Sequence, residues 1–278
     1  MLKIPYSTEE LKFAYCHRIY LRCHTRRRRS VPHIMTLDSS TLAEILVPYN
    51  IRVLECNATE TSLLALLSLK YDETVSCCAS KLKGRVSRWL HDATGQPGLL
   101  SRGYFALTAG TANEQAVNNY LESQSAHHHY ESRARPPVYV RSFAPSKNDL
   151  AILRIDHAVT KLAYHVVLST WYRRGVFTRR CAEEVTQLWL EKQKELRIAL
   201  TKVSFVPDHV HLAIKTHPTV SIPEVIAALM NGAQELVWKK YDGLVIQAGV
   251  ERLWQPSAYF GSYGRLSSPE VAAYIQGF

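Results

Sequence analysis

The feature that most constrains this fold is an internal repeat, because the two halves of the 278-residue chain carry similar short segments in the same order. Leu11-Lys-Phe-Ala-Tyr15 resembles Thr160-Lys-Leu-Ala-Tyr164, and Gly103-Tyr-Phe105 resembles Ala258-Tyr-Phe260. Two further pairs follow in order: Gly110 with Gly264, and Tyr120 with Tyr274. The matched residues lie about 150 positions apart. A shared order at nearly constant spacing predicts a duplicated unit.

The repeat divides the chain into two units and a connection. We place the first unit at residues 1–125, a linker at 126–155 and the second unit at 156–278. The linker is predicted from its prolines and polar residues. It includes three consecutive histidines, residues 127–129, for which a solvated tract and a metal-binding tract are both open interpretations.

The second unit carries the clearer secondary-structure pattern. Strands are predicted at 164–170, 198–205, 209–215 and 258–263, and helices at 181–197, at 221–241 behind a capping box that begins at Ser221, and from 268 onward. The resulting order, β-α-β-β-α-β-α, is typical of an antiparallel sheet with helices on one face. We therefore predict an α+β fold of ferredoxin or RNA-recognition type, present twice.

Composition restricts the functional class. The chain has 34 Lys and Arg against 24 Asp and Glu, a net charge of +10, and its densest basic run is Arg26 to Arg29. Such an excess favours a polyanionic partner, nucleic acid first, although a merely basic surface is the alternative. No apolar run has the length of a membrane span, and the first residues do not resemble a signal peptide. We expect a soluble, cytoplasmic protein associated with the bacterial nucleoid and not with a membrane.

The sharpest local motif is Pro207-Asp-His209-Val-His211-Leu. Alternate residues of a strand share a face, so His209 and His211 are predicted to project together while Val210 points into the core. Two neutral imidazoles side by side form half of a divalent-metal site. A structural histidine pair is the alternative, because this spacing alone is a weak signal.

A second candidate group lies near the end of the first unit. Tyr120 and Gln124 are four residues apart in a predicted helix and therefore share one helical face. A tyrosine hydroxyl can attack a phosphodiester when a metal polarises the phosphoryl oxygen, and an amide oxygen can complete the coordination. The alternative is an ordinary aromatic residue of an amphipathic helix.

These motifs resemble a known family. The segments Tyr164 to Arg174, Pro207 to Leu212, Trp254 to Phe260 and Glu270 to Tyr274 are similar, in that order, to the insertion-sequence 200/605 group of transposases, whose histidine–hydrophobic–histidine motif is abbreviated HUH. The resemblance covers nearly all of residues 157–278 and is weaker in the first unit. It implies cleavage and rejoining of single-stranded DNA through a 5′-phosphotyrosine, with Mg²⁺ or Mn²⁺, and recognition of hairpins at element ends. Members act as homodimers in which the histidines of one subunit meet the tyrosine helix of the other.

Each unit departs from the family pattern in a complementary way. Aligning Leu64-Ala65-Leu66 with Leu212-Ala213-Ile214 places Thr61 and Leu63 where His209 and His211 stand. In the second unit, the position four after Tyr274 is Phe278, so the glutamine is missing. We therefore predict a single-chain pseudo-dimer that acts as a monomer. It has one composite site, formed by His209, His211, Tyr120 and Gln124.

Two alternatives remain open. Tyr274 could act as nucleophile beside the histidines of its own unit, which would leave Gln124 unexplained. A domesticated protein could bind hairpin or single-stranded DNA without cutting it. In either case the predicted backbone contacts are Arg26, Arg27, Arg28, Arg29, Tyr172, Arg173 and Arg174. Asp208 is either a turn residue or a group that orients a ligand histidine.

Overall fold

The structure, a computed structural model, describes residues 5–110, 114–122 and 138–264. Its strands are β1 (Lys12–Cys16), β2 (Arg18–His24), β3 (Arg52–Thr59), β4 (Ser62–Ser68), β5 (Tyr104–Ala109), β6 (Tyr139–Ser142), β7 (Ala158–Lys161), β8 (Ala163–Thr170), β9 (Ile198–Val206), β10 (His209–Thr216) and β11 (Trp254–Ser262). Its helices are α1 (Ser39–Leu46), α2 (Val75–Thr94), α3 (Glu114–Glu122), α4 (Lys147–Ala151), α5 (Arg179–Leu196), α6 (Ile222–Lys240) and α7 (Asp242–Ala248). The predicted α+β class is confirmed.

The strands form two sheets that exchange an edge strand. The five-stranded sheet has the order β3-β4-β2-β5-β7, and the six-stranded sheet has the order β1-β11-β8-β10-β9-β6. Neighbours are antiparallel except at two places, where β1 of the first unit runs parallel to β11 and β7 of the second unit runs parallel to β5. Each sheet therefore depends on a strand from the other half of the sequence.

Two glycines allow the sheets to approach each other where the exchange occurs. A Cβ atom on Gly110 would collide with the backbone carbonyl of Ser262, and one on Gly264 would collide with the carbonyl of Thr108. The two contacts are equivalent under the repeat, since Thr108 and Ser262 occupy matching positions on β5 and β11. Glycine is needed at both positions because the neighbouring backbone leaves no room for a side chain.

Strand pairing corrects the alignment of the two units. In the parallel pairs, Cys16 lies opposite Gly261 and Lys161 lies opposite Leu107, so the last residue of β1 corresponds to the last residue of β7. Tyr15 is therefore not the counterpart of Tyr164. Tyr15 is an exposed residue of β1, whereas Tyr164 is buried in β8, one strand later. The sequence match had joined residues of different strands.

Part of the predicted linker is folded. β6 pairs with β9 at the edge of the six-stranded sheet, and α4 begins at a capping box formed by Ser146 and Asp149. Residues 138–155 of the predicted linker therefore form a strand and a short helix rather than an irregular segment. The three histidines at 127–129 lie outside the described residues.

A threonine caps one long helix in each unit. The Thr74 hydroxyl accepts a hydrogen bond from the Cys77 amide at the start of α2, and Thr178 accepts one from Cys181 at the start of α5. The predicted capping box at Ser221 is wrong in detail, because α6 begins with Pro223 in its first turn and the Ser221 side chain makes no capping hydrogen bond. Proline needs no partner for a backbone N–H at that position.

The helices leave one face of each sheet for other contacts. α1 and α2 cover one face of the five-stranded sheet, and α5 and α6 cover one face of the six-stranded sheet. Along β10 the residues on this covered face are Val210, Leu212 and Ile214, all buried in the main core. The alternate residues face the opposite side. In the part of the chain that the structure describes, no helix is long and apolar enough to cross a membrane.

Candidate active site

His209 and His211 lie together on the opposite face of β10, as their spacing predicts. Their ring centroids are 4.9 Å apart. The two residues are only 1% and 4% exposed. Imidazoles buried this deeply need hydrogen-bond partners in the protein, and each ring has one through its Nδ1 atom.

Asp208 holds the ring of His209. Its Oδ1 atom lies 2.7 Å from His209 Nδ1, and its Oδ2 atom lies 2.8 Å from Arg173 Nε. Burial raises the pKa of the Asp208 carboxyl, but the hydrogen bond from His209 and the charge of Arg173 outweigh burial and lower the pKa overall. The carboxylate is thus ionised and fixes the orientation of the ring. Both interpretations of Asp208 from the sequence match the geometry, because this residue lies in the turn between β9 and β10 and its side chain orients the ring of His209.

A third histidine, His165, holds the ring of His211. The His165 Nε2 atom lies 3.0 Å from His211 Nδ1, and the two rings are nearly parallel, with centroids 5.2 Å apart and an angle of 11° between their planes. Burial lowers the pKa of His165 to about 4, so this imidazole is neutral at neutral pH. Sequence reasoning did not assign His165 a role. Its place on β8, the neighbour of β10, was the signal that could have found it.

Tyr120 reaches these histidines from the first unit. Its ring centroid lies 5.5 Å from that of His211 and 6.1 Å from that of His165, in edge-on contacts. The side chain is 39% exposed, which leaves it accessible from solvent. The described structure therefore brings together Tyr120, His209 and His211, three of the four residues of the predicted composite site.

The helix that carries Tyr120 is seated on the six-stranded sheet. Val117 and Leu121, on the inner side of α3, are buried against Ala213 and Tyr263. Lys202, which is itself buried, donates from Nζ to the Asn118 carbonyl at 3.0 Å. A cation at carbonyl groups near the end of a helix also interacts favourably with the helix dipole. These contacts hold α3 at a defined position above β9 and β10.

The remaining predicted residues of this site lie outside the described residues. They are Gln124, the predicted third metal ligand, and Tyr274, the alternative nucleophile.

The donor atoms near Tyr120 fit a divalent metal in part. Because the Nδ1 atoms of His209 and His211 face Asp208 and His165, a metal held by these rings would bind through Nε2 of each. A hydrogen bond to the far nitrogen of each ring is the usual support of a histidine ligand. Over residues 5–110, 114–122 and 138–264, no group of three His, Cys, Asp or Glu side chains is arranged to hold an ion. A third protein ligand would have to be of another type or lie elsewhere in the chain.

The equivalent place on the five-stranded sheet has no histidine pair. His209 pairs with Ser169 and His211 with Val167, whereas Ser62 pairs with His24 and Leu64 with Arg22. Ser62 and Leu64 therefore replace the histidines. The predicted counterparts, Thr61 and Leu63, are wrong by one residue. A shift of one residue turns a side chain to the other face of a sheet, and Leu63 indeed lies in the core.

The predicted DNA-contacting residues form two equivalent loops. Arg26–Arg28 and Trp171–Arg173 are short 3₁₀ turns, each after the matching strand of its unit. Both turns contain consecutive residues of positive φ: Arg27 at 54°, Arg28 at 52°, Tyr172 at 52° and Arg173 at 56°. Each is closed by a threonine hydroxyl: Thr25 donates to the Arg29 carbonyl and Thr170 donates to the Arg174 carbonyl. Such backbone strain in non-glycine residues is typical of functional loops.

The side chains of these loops differ in what they can contact. Arg26 to Arg29 are exposed, and Tyr172 is 68% exposed. Arg173 forms the ion pair with Asp208 described above. The Arg174 guanidinium donates to the carbonyls of Ala248 and Gly249 at 2.9 and 2.7 Å, so its described role is to close the end of α7.

Comparisons with known proteins identify the class of protein. The family model for transposases, described as IS200-like, matches residues 12–124 and 158–277. Since these two segments make up most of the chain, the chain belongs to the IS200-like transposase family. The model matches twice, once on each side of the predicted connection.

Two Deinococcus radiodurans proteins are similar to parts of the chain. The ISDra2 transposase TnpA is 23% identical over 118 residues, which is 42% of this chain and 84% of the relative. A crystal structure from strain R1, described provisionally as a transposase, covers 45% of this chain and 95% of its own, at 23% identity and a TM-score of 0.37.

Proposed function

We propose that this transposase is a metal-dependent single-stranded DNA endonuclease and strand transferase with one composite active site. The observation that carries the proposal is the 5.5 Å contact between the Tyr120 ring of the first unit and the His211 ring of the second. Tyr120 of the first unit lies beside His209 and His211 of the second on one face of one sheet, which supports the proposal. A single chain would then do the work of a homodimer, and we propose that it acts as a monomer.

In the proposed reaction, the Tyr120 hydroxyl attacks a phosphodiester. The bond from the tyrosine oxygen to phosphorus forms while the bond from phosphorus to the 3′ oxygen breaks, and the proton lost by the tyrosine is balanced by the proton gained by the leaving 3′-hydroxyl. A phosphodiester is exchanged for a 5′-phosphotyrosine diester. Attack by another 3′-hydroxyl reverses the step and joins new ends.

His209, His211 and Gln124 are the residues that would hold Mg²⁺ or Mn²⁺. Such an ion would supply Lewis-acid stabilisation of the charge on the scissile phosphate. Asp208 and His165 keep the two rings in place, and Lys202 keeps α3 at the distance from which Tyr120 can reach them. The hydrogen bonds of Asp208 and His165 to the two rings are stronger in these buried surroundings, because little water is present to screen them.

The partner proposed for this site is single-stranded DNA with hairpins at the element ends. Support comes from the net charge of +10 and from the exposed arginines of the loop at Arg26 to Arg29. Stacking on unpaired bases fits Tyr172, which is well exposed beside Trp171. The proposed location is the cytoplasm, where the nucleoid supplies the substrate.

A covalent protein–DNA adduct tests the proposal. Wild type, Tyr120→Phe, Tyr274→Phe and the control Tyr15→Phe are incubated with hairpin-bearing single-stranded oligonucleotides and Mn²⁺, and the adduct is read on denaturing gels and by mass spectrometry. We expect the adduct in all samples except Tyr120→Phe. Loss only in Tyr274→Phe would assign the reaction to the second unit alone. Tight binding with no adduct in wild type would replace cleavage by a binding function.

A further inference from the structure

The place on the five-stranded sheet that corresponds to the histidine pair contains a fixed positive charge. Arg22, on β2, lies on the same face as Ser62 and Leu64 because residues at even positions of β2 alternate with core residues such as Leu21 and Cys23. Its Nη2 atom donates to the Ser62 hydroxyl at 3.3 Å. Since Ser62 stands where His209 stands, the guanidinium lies at the position equivalent to the metal-binding side of the other sheet.

Other basic groups surround Arg22. His24 follows two residues later on the same strand face, and Arg28 belongs to the turn that comes next. Burial and the charge of Arg28 lower the pKa of Arg22, and burial together with the charges of Arg22 and Arg28 lowers the pKa of His24. Like charges are thus close enough to repel one another. Among the described residues, no carboxylate forms an ion pair with Arg22 or Arg28.

The Nε–H donor of Arg22 is buried with no hydrogen-bond partner in the part of the chain that the structure describes. A buried polar group of this kind costs free energy unless an acceptor fills the space beside it. A guanidinium has five donors in a planar fork, and phosphate oxygens are the acceptors that match this geometry and charge.

We propose that Arg22, His24, Arg28 and Ser62 form a second phosphate-binding site, which needs no metal ion. The site binds the phosphate without cutting it. Leu64 stands where His211 stands, and Tyr20 stands where His165 stands, so the second imidazole donor and its support are both missing. The arginine charge takes the place that an ion would have, and the duplicated unit keeps an anion site after losing a metal site. The proposed function enters only in naming a DNA backbone phosphate as the source of the ligand.

The test uses the ¹⁵N-labelled full chain in EDTA with two separate probes, inorganic phosphate and the hairpin-free oligonucleotide dT12. The Arg22 Nε–H resonance is assigned by its loss in Arg22→Gln. We expect this resonance to shift in wild type with either probe and without metal. A shift with dT12 alone supports a site for the nucleic-acid backbone, and a shift with phosphate alone supports a site for free phosphate. No shift with either probe at saturating concentration overturns the proposal.

Variants give a second, independent measurement. By fluorescence anisotropy in EDTA, Arg22→Gln is expected to weaken dT12 binding at least about fivefold. Arg22→Lys is expected to lie between Arg22→Gln and wild type, because it keeps the charge but loses the planar fork of donors. Arg18→Gln is the matched control, since Arg18 is an exposed residue of the same strand face at its other end. Equal losses in Arg18→Gln and Arg22→Gln would contradict a defined site. Thermal melting shows whether each variant is folded, and the wild-type resonance does not depend on their stability.

The two proposals fail separately. The covalent adduct requires Mn²⁺ and Tyr120, whereas the Arg22 resonance is measured without metal and without cleavage. A missing adduct together with a shifted resonance would contradict the proposed cleavage activity and support the phosphate site. An adduct without a shifted resonance would support the cleavage activity and contradict the phosphate site.

Discussion

The hydroxyls of Thr108 and Ser262 make the same pair of hydrogen bonds in opposite directions between the two units. Thr108 Oγ1 accepts from the Ala163 amide at 3.0 Å and donates to the Tyr263 carbonyl at 2.7 Å. Ser262 Oγ accepts from the Arg18 amide at 2.9 Å and donates to the Ala109 carbonyl at 2.6 Å. These symmetric hydrogen bonds fix the relative position of the sheets, and hence the position of α3, the helix that carries Tyr120.

Replacing Thr108 by valine is expected to destabilise the protein by about 1–3 kcal/mol, because the change leaves a partly buried amide and a buried carbonyl without their partner. Urea unfolding measures the free energy. Thr108→Ser keeps the hydroxyl and is the control, expected to stay close to wild type. Equal stabilities of Thr108→Val and wild type would show that the hydroxyl bridge contributes nothing.

Alanine at Gly264 is expected to be strongly destabilising, because φ at this position is +157° and the new Cβ would meet the Thr108 carbonyl. Gly84, in the middle of α2, has open space around it. Alanine there should stabilise the protein by about 0.5–1 kcal/mol through its better helix propensity. Thermal melting of both variants gives the comparison, and a shift of the same sign in both would contradict the assigned contact.

The free energy of unfolding should decrease as the pH is lowered, because of the buried residue His17. Its ring nitrogens lie 3.1 Å from the Lys70 carbonyl and from the Tyr164 hydroxyl, and burial lowers its pKa from 6.5 to about 4. The unfolded chain binds the proton first, so this contribution is complete above pH 6.5 and is lost as pH falls toward 4. Between pH 7 and pH 5 the loss amounts to about 2 kcal/mol.

The measurement for His17 is urea unfolding of wild type and His17→Gln at both pH values. Lowering the pH from 7 to 5 should decrease the unfolding free energy of wild type more than that of His17→Gln. An unchanged difference would mean that His17 has the same proton affinity in the folded and unfolded chain.

Asp208→Asn should weaken metal binding by about 10- to 100-fold, the usual effect of losing the carboxylate that orients a histidine ligand. Calorimetric titration with Mn²⁺ measures the affinity. Asp242→Asn, at an exposed position at the start of α7, is the control. Unchanged Mn²⁺ affinity in Asp208→Asn would remove Asp208 from the support of His209.

Local patterns in the sequence determined several features of this protein. The repeat predicted two related units, and the period of two in a strand placed His209 and His211 on one face. Helix spacing located α5 and α6 closely, since this signal depends on neighbours only a few residues away. The family resemblance identified Tyr120 as the nucleophile to test.

Tertiary structure decided what depends on pairing between distant segments. Strand register shows that Ser62 and Leu64, and not Thr61 and Leu63, correspond to His209 and His211. The reason is that hydrogen bonds between strands, and not residue similarity, fix which positions correspond. The exchange of β1 and β7, the contact of Tyr120 with His211 and the position of Arg22 beside Ser62 all join residues from different elements. These contacts are stabilised by burial and hydrogen bonding that exist only once both sheets have formed.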